Sequence, residues 1–128
     1  MSNSRIFAFG AGVALALSLA STASAMDAGQ VKAKATPEEG STQWAEVCAA
    51  SMMGGAYTAT AGSDDQKGYL ALGKAWIQLA ITSNGKTYND YVDNQLTGDM
   101  QTLYDAGDDT VSFYKQYCAA QSQKLLNS

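Results

Sequence analysis

The residues best suited to chemistry in this chain are its two cysteines, which lie far apart in the sequence. Cys48 lies in QWAEVCAASMMGG and Cys118 in FYKQYCAAQS. A C-x-x-C redox site needs both thiols within one helical turn, and a structural zinc site needs about four ligands. Neither requirement is met here. Because such a pair most simply forms a structural disulfide in an oxidising compartment, we predict a Cys48–Cys118 bridge.

Two absences from the composition exclude much of enzyme chemistry. The chain contains no histidine, and Arg5 is its only arginine. Histidine-activated serine or cysteine nucleophiles and histidine metal sites are therefore excluded. The sequence Gly85-Lys86-Thr87 resembles the end of a phosphate-binding loop, but the pattern requires glycine where Ala80 stands. We predict a non-enzymatic protein with no catalytic residue, no metal site and no cofactor, and leave weak calcium binding by the acidic turn 105–109 open.

The first 25 residues have the pattern of a secretory signal peptide. Arg5 supplies a positive charge, residues 6–20 form an apolar run, and Ala23-Ser24-Ala25 ends a small-residue cleavage site. The run is shorter than the roughly 20 residues that a membrane-spanning helix needs. We predict a signal peptide over 1–25, a mature chain from Met26 that does not insert into the membrane, and a periplasmic or secreted location.

The charge of the predicted mature chain is negative. Without Arg5, the eight basic residues of the whole chain become seven, which face twelve carboxylates and give a net charge of −5. An acidic surface without a basic stripe argues against nucleic acid as a partner. Protein clients or a small apolar ligand are the partners we expect.

Hydrophobic periodicity divides the mature chain into an arm and a helical domain. Residues 26–40 are polar, contain Pro37 and show no apolar period, which predicts a flexible N-terminal arm. Residues 41–128 show helical periodicity and no convincing strand pattern. The short connections predict an all-α, antiparallel four-helix bundle in which the disulfide joins the first and last helices. The four predicted helices cover about 42–60, a segment opened by Ser63-Asp64-Asp65-Gln66 and ended by Gly85, about 87–104 with a break possible at Gly98, and a last helix from Asp108 or Asp109.

The second predicted helix is apolar around most of its circumference, which predicts that it forms the centre of the core around Trp76. In the first helix, small residues at Ala49, Ala50, Ser51, Gly54, Gly55 and Ala56 predict a thin surface for a tight helix crossing. A pocket left open by these small side chains is the alternative.

Tyrosines are abundant for a chain of this size. Tyr88, Tyr91, Tyr114 and Tyr117 fall on the third and fourth predicted helices, where a bundle can hold a ligand. We predict a possible ligand pocket lined by these four rings. Rings buried in the core with hydroxyl groups at its rim are the alternative.

Two stretches also resemble a known family. Trp44 near Cys48, and Cys118 within YCAAQSQKLL, in a small acidic exported helical chain, resemble the HdeA/HdeB type of periplasmic acid-stress chaperone. The resemblance covers only these stretches and implies an acid-activated, ATP-independent chaperone with one disulfide. We therefore expect an exported helical binding protein, with acid-activated chaperoning as its most specific form. A small-molecule binder and an acidic inhibitor or immunity protein are the alternatives.

Overall fold

The computed structural model describes residues 26–127, in which all regular structure is helical. The all-α prediction is confirmed for this part of the chain, whereas the predicted signal peptide lies outside the described residues. The helices are α1 (Ala28–Lys32), α2 (Thr42–Thr58), α3 (Asp64–Asn84), α4 (Tyr88–Tyr91), a π-helical turn (Val92–Leu96), α5 (Thr97–Asp105) and α6 (Asp108–Leu126).

Helix ends follow local side-chain chemistry. The Ser41 hydroxyl accepts a hydrogen bond from the Trp44 amide, and the Ser63 hydroxyl accepts one from the Gln66 amide, each at 3.1 Å. These bonds satisfy amide groups that a helix start leaves without partners. Gly85 ends α3 in the left-handed conformation, at φ +78°, which glycine adopts without steric strain. The helix boundaries expected from these residues are therefore close to the observed ones.

The third predicted helix continues through Gly98 instead of breaking there. The irregularity lies earlier, in the π-helical turn Val92–Leu96, and Gly98 stands inside α5. A π-helical turn contains an extra residue and rotates the side chains that follow it. As a result Gln95 and Asp99, both polar, are buried beside Leu96 and Leu103.

Helix α2 forms the centre of the core, and the prediction that α3 does so is wrong. Every residue from 44 to 56 is buried, whereas α3 buries only Gly73, Trp76, Ile77 and Ala80. Helices α3, α5 and α6 and the π-helical turn all contact α2. Its small side chains allow neighbours to approach from several directions, so it is enclosed although its residues are less bulky than those of α3.

The small residues of α2 do serve tight helix crossings, as predicted. A Cβ atom at Gly54 would lie 2.6 Å from Tyr104 Cε1, and one at Gly55 would lie 2.8 Å from Tyr69 Cδ1. Both distances are shorter than van der Waals contact. Aromatic rings from α5 and α3 therefore occupy the space that side chains at Gly54 and Gly55 would take.

Substitution of Gly55 tests this crossing. Gly55→Ala is expected to lower the free energy of unfolding by about 1–3 kcal/mol, because the new methyl group meets the Tyr69 ring close to its attachment to α3. Gly68→Ala in α3 is the matched control, since its Cβ would meet nothing within 4 Å. There the loss of glycine should stabilise the helix by about 0.5–1 kcal/mol. Urea denaturation measures both, and equal effects of the two substitutions would contradict the packing.

The segment 26–40 packs against the helical core, which corrects the prediction of a flexible arm. Met26 and Val31 are buried, and the Tyr114 hydroxyl donates a hydrogen bond to the Ala35 carbonyl oxygen. Farther along, Lys124 Nζ lies 2.7 Å from a carboxylate oxygen of Glu39. Two apolar side chains five positions apart create no periodic pattern, so the sequence could not indicate that this segment docks.

The predicted disulfide is confirmed. Cys48 and Cys118 are bonded, with their Cα atoms 5.2 Å apart, and both are fully buried. The bridge connects α2 with α6 across 70 residues of sequence.

Candidate functional site

A cleft of about 320 Å³ lies between α2 and α5. Gly54 shapes it, because the absence of a side chain there lets the Tyr104 ring lie directly against α2. Tyr57, one helical turn later, is 68% exposed and forms a wall of the cleft. The complete lining is Gly54, Tyr57, Thr58, Thr97, Met100, Gln101 and Tyr104. The cleft is thus built from aromatic, thioether, hydroxyl and amide groups, without a charged side chain.

Most polar groups of the cleft make hydrogen bonds within the protein. The Thr58 hydroxyl donates a hydrogen bond to the Gly54 carbonyl oxygen at 2.9 Å. The methyl group of Thr58 is the apolar part of that side chain. The Tyr104 hydroxyl is buried and has no hydrogen-bond partner among the described residues. Thr97 and Gln101 supply the remaining polar groups, and both also donate within the protein, the Thr97 hydroxyl to the Val92 carbonyl oxygen at 3.4 Å and Gln101 Nε2 to Asp105 Oδ1 at 2.8 Å. A bound molecule would therefore meet mainly apolar surface with a few hydrogen-bonding groups along α5.

A second cluster, made of buried polar and acidic side chains, lies inside the core around the π-helical turn. The carboxylates of Glu46 and Asp99 are both buried. Asn84 Nδ2 donates to Glu46 at 2.9 Å, and Gln95 Nε2 donates to Asp99 at 3.2 Å. Lys86 Nζ in turn donates to Gln95 Oε1 at 2.6 Å. Amide side chains thus donate to both buried carboxyl groups, and Lys86 binds the amide that contacts Asp99.

Tyr91 lies within this polar group. Burial, together with the nearby charges of Asp99 and Glu46, raises the pKa of Tyr91 above its ordinary value. Its hydroxyl has no hydrogen-bond partner in the described part of the chain. Sequence reasoning missed Glu46 and Asp99 as buried groups. The available signal was the position of Glu46 within the apolar stretch around Cys48, whereas the burial of Asp99 depends on the π-helical turn.

The structure does not bring Tyr88, Tyr91, Tyr114 and Tyr117 together into the predicted pocket. Tyr88 is 46% exposed at the start of α4, and Tyr91 is buried beside Asp99 and Glu46. Only Tyr114 and Tyr117 are neighbours, with ring centroids 6.4 Å apart. Tyr114 does line a cavity, but its volume is about 10 Å³, room for one water at most.

Tyr114 and Tyr117 instead hold the amino-terminal segment. The Tyr117 hydroxyl donates to the Pro37 carbonyl oxygen at 3.4 Å, next to the Tyr114 bond to Ala35. Their rings are packed and their hydroxyl groups lie at the edge of the core. This is the alternative that the sequence left open for these two residues.

The buried tyrosines predict a delayed alkaline titration. Burial raises the pKa of Tyr114 to about 12 and also raises the pKa values of Tyr117 and Tyr91. A raised folded-state pKa stabilises the protein fully below the ordinary value of about 10, and this contribution is lost as pH rises through the folded-state value. We expect the ultraviolet absorbance of tyrosinate to rise in two phases, the second coinciding with loss of helical circular dichroism.

Tyr114→Phe is the matched variant for that titration. It removes one titrating group and should reduce the amplitude of the second phase while leaving the first unchanged. Titration of all seven tyrosines in one phase near pH 10, with the helices intact, would contradict the burial of these hydroxyl groups.

No group of three or more potential metal ligands occurs among residues 26–127, and no helix in that range is long and apolar enough to cross a membrane. No protein-family model, curated protein or solved structure matches the chain. The described residues form a helical, disulfide-bonded protein with a cleft between α2 and α5.

Proposed function

We propose that this chain is an exported, non-enzymatic binding protein that holds a small neutral ligand in the cleft between α2 and α5. The observation on which this proposal rests is the cleft. Its volume of about 320 Å³ is at the lower end of the range for small-molecule sites, about 300–1,000 Å³. The Cys48–Cys118 bond and the signal-like residues 1–25 support export, because structural disulfides persist in oxidising compartments.

The lining residues indicate the chemical class of the ligand. No charged side chain lines the cleft, so an ionised ligand would lose hydration without gaining a counter-charge. Tyr57 offers an aromatic face, and Met100 has a flexible, polarisable side chain that adapts to irregular shapes. Gln101 donates one amide hydrogen to Asp105, and its carbonyl oxygen and second amide hydrogen can orient one polar group of a ligand. A flat, mainly apolar molecule with a single polar substituent fits these features best.

A neutral fluorescent probe tests the cleft. We expect N-phenylnaphthylamine to bind with increased fluorescence, and Tyr57→Ala to weaken its binding about tenfold, equivalent to about 1.4 kcal/mol. Tyr88→Ala is the control, because Tyr88 is also substantially exposed but does not line the cleft. Mass spectrometry of protein purified from its native envelope should detect a copurifying small molecule. Absence of probe binding, or equal binding by the wild type and Tyr57→Ala, would contradict the proposal.

The arrangement we propose for the whole domain is the antiparallel four-helix bundle, with α4, the π-helical turn and α5 acting as one helix. The connections 59–63, 85–87 and 106–107 are short, which favours antiparallel neighbours. Contacts of α2 with α3, α5 and α6 support this arrangement.

Acid-activated chaperoning is a second candidate, favoured by the way the amino-terminal segment covers apolar residues. Its outer contact is the ion pair between Glu39 and Lys124, and the hydrogen bond from Lys124 lowers the pKa of the Glu39 carboxyl. This contribution is present above the ordinary pKa of 4.5 and is lost as pH falls through the lowered value. Protonation of all carboxylates would also leave the seven lysines of the mature chain mutually repelling.

Dye fluorescence and suppression of client aggregation, both measured from pH 7 to about 2, test this candidate. We expect a compact, partly unfolded state below about pH 3 that binds an apolar dye and suppresses aggregation. Unchanged structure and no suppression at the lowest pH would remove chaperoning and leave the ligand binder.

A further inference from the structure

The hydroxyl group of Tyr104 lies in the wall of the cleft without a hydrogen-bond partner. Its oxygen atom is buried, and no group among residues 26–127 bonds to it. A buried hydroxyl of this kind loses its hydrogen bonds to water on folding and gains none in return, which destabilises the folded state. The Tyr104 side chain also lines the cleft between α2 and α5, so this unpaired group borders the space that a ligand would occupy.

The far end of the Tyr104 ring rests on the backbone of α2. A Cβ atom on Gly54 would lie 2.6 Å from Tyr104 Cε1 and 2.9 Å from the Tyr104 hydroxyl oxygen. At Gly55, in contrast, the nearest atoms are Cδ1 and Cγ of Tyr69, close to the attachment of that ring. Tyr104 is only partly buried as a residue, and no hydrogen bond holds its hydroxyl. Rotation about its side-chain bonds can therefore lift the ring end off Gly54 into the cleft.

The unpaired group is a donor, whereas other donors of the cleft are already in use. The hydroxyl hydrogens of Thr58 and Thr97 are donated to backbone carbonyl oxygens, and Gln101 has used one of its two amide hydrogens. A phenolic hydroxyl can donate and accept, but it is the better donor because its lone pairs are delocalised into the ring. The partner that suits Tyr104 is therefore an acceptor oxygen.

We propose that the ligand of the cleft carries a carbonyl-type oxygen on its flat apolar body, and that the end of the Tyr104 ring leaves Gly54 to donate a hydrogen bond to that oxygen. The inference rests on the proposed ligand-binding function and adds the polar substituent and the residue that recognises it. A neutral ketone, ester or amide supplies such an oxygen. A hydrocarbon of the same shape leaves the hydroxyl unpaired, so Tyr104 determines specificity.

Two neutral naphthalene probes test the role of Tyr104. Prodan carries a ketone, whereas N-phenylnaphthylamine has no carbonyl group. Tyr104→Phe removes only the hydroxyl, and we expect it to weaken Prodan binding about fivefold and to leave N-phenylnaphthylamine binding unchanged. Bound Prodan should emit at a longer wavelength in the wild type than in the variant, because a hydrogen bond to its ketone stabilises the excited state. Tyr88→Phe is the control and should change neither probe, since Tyr88 does not line the cleft.

The outcomes separate this inference from the proposed function. If N-phenylnaphthylamine does not bind the wild type, the cleft proposal fails and the role of Tyr104 fails with it. If that probe binds, three results overturn the role of Tyr104 and leave the cleft proposal unaffected. They are failure of the wild type to bind Prodan, equal Prodan affinity and emission in the wild type and Tyr104→Phe, and equal weakening of both probes by the variant.

The movement of the ring has its own test in the two neighbouring glycines. Gly54→Ala should lower the urea denaturation midpoint less than Gly55→Ala, because its methyl group displaces only the free end of a ring. Gly54→Ala should also still bind Prodan with emission at the longer wavelength. A midpoint for Gly54→Ala that is equal to or lower than that of Gly55→Ala would show that the Tyr104 ring is fixed, and would overturn the inference.

Discussion

Replacement of Trp76 by alanine is expected to lower the free energy of unfolding by about 3–5 kcal/mol. The side chain is fully buried, and its ring lies 4.7 Å from the Trp44 ring, between centroids, in an edge-to-face arrangement. Its indole N–H donates to Ser122 Oγ at 2.8 Å, and that hydroxyl donates onward to the Cys118 carbonyl oxygen at 2.7 Å. The substitution would create a cavity and also remove the donor to Ser122.

Trp44→Ala is expected to lower the free energy of unfolding by an amount comparable to Trp76→Ala. The sequence alone suggests a smaller effect, because Trp44 lies near a helix start. It is buried, and its indole N–H donates to Gln121 Oε1 at 3.0 Å. Because the two rings touch, the decrease in the free energy of unfolding of the double alanine variant should differ from the sum of the decreases of the two single variants. Urea denaturation of the single and double variants measures this coupling.

Trp76→Phe is the control for the first prediction. It keeps an aromatic ring in the core but removes the N–H donor. It should therefore lower the free energy of unfolding less than Trp76→Ala does. Unchanged denaturation midpoints for all these variants would contradict the placement of the tryptophan pair.

Loss of the disulfide is the second large effect we expect. Closing a loop of 70 residues restricts the unfolded chain by roughly 4 kcal/mol in the entropic model. Replacing both cysteines by alanine avoids leaving a reactive thiol and should reduce stability by about 2–5 kcal/mol. Equilibrium denaturation of the oxidised, reduced and double-alanine forms measures the contribution.

The reduced wild type is the matched control for the double variant. The reduced wild type and the double variant should unfold at similar denaturant concentrations, both well below the concentration that unfolds the oxidised protein. The intact mass of the oxidised form should increase by two hydrogens on reduction. Two free thiols in the purified, unreduced protein would contradict the bond.

The helices and the cysteine pairing are the parts of this protein that the sequence by itself determined. Helix ends depend on groups within about four residues, such as Ser41, Ser63 and Gly85, whose chemistry is visible locally. The disulfide could be inferred because the chain contains only two cysteines, which leaves a single possible intramolecular pairing.

The centre of the core and the candidate sites were decided only by the tertiary structure. Whether α2 or α3 is enclosed depends on how closely neighbours approach, and the rings of Tyr104 and Tyr69 can lie against Gly54 and Gly55 because those residues lack side chains. Met26 and Asp99 are 73 positions apart in sequence, and they line one cavity only after α1 docks and the π-helical turn rotates α5. Periodicity records the faces of one helix, whereas contacts between distant segments depend on shape and on the energy of burying groups together.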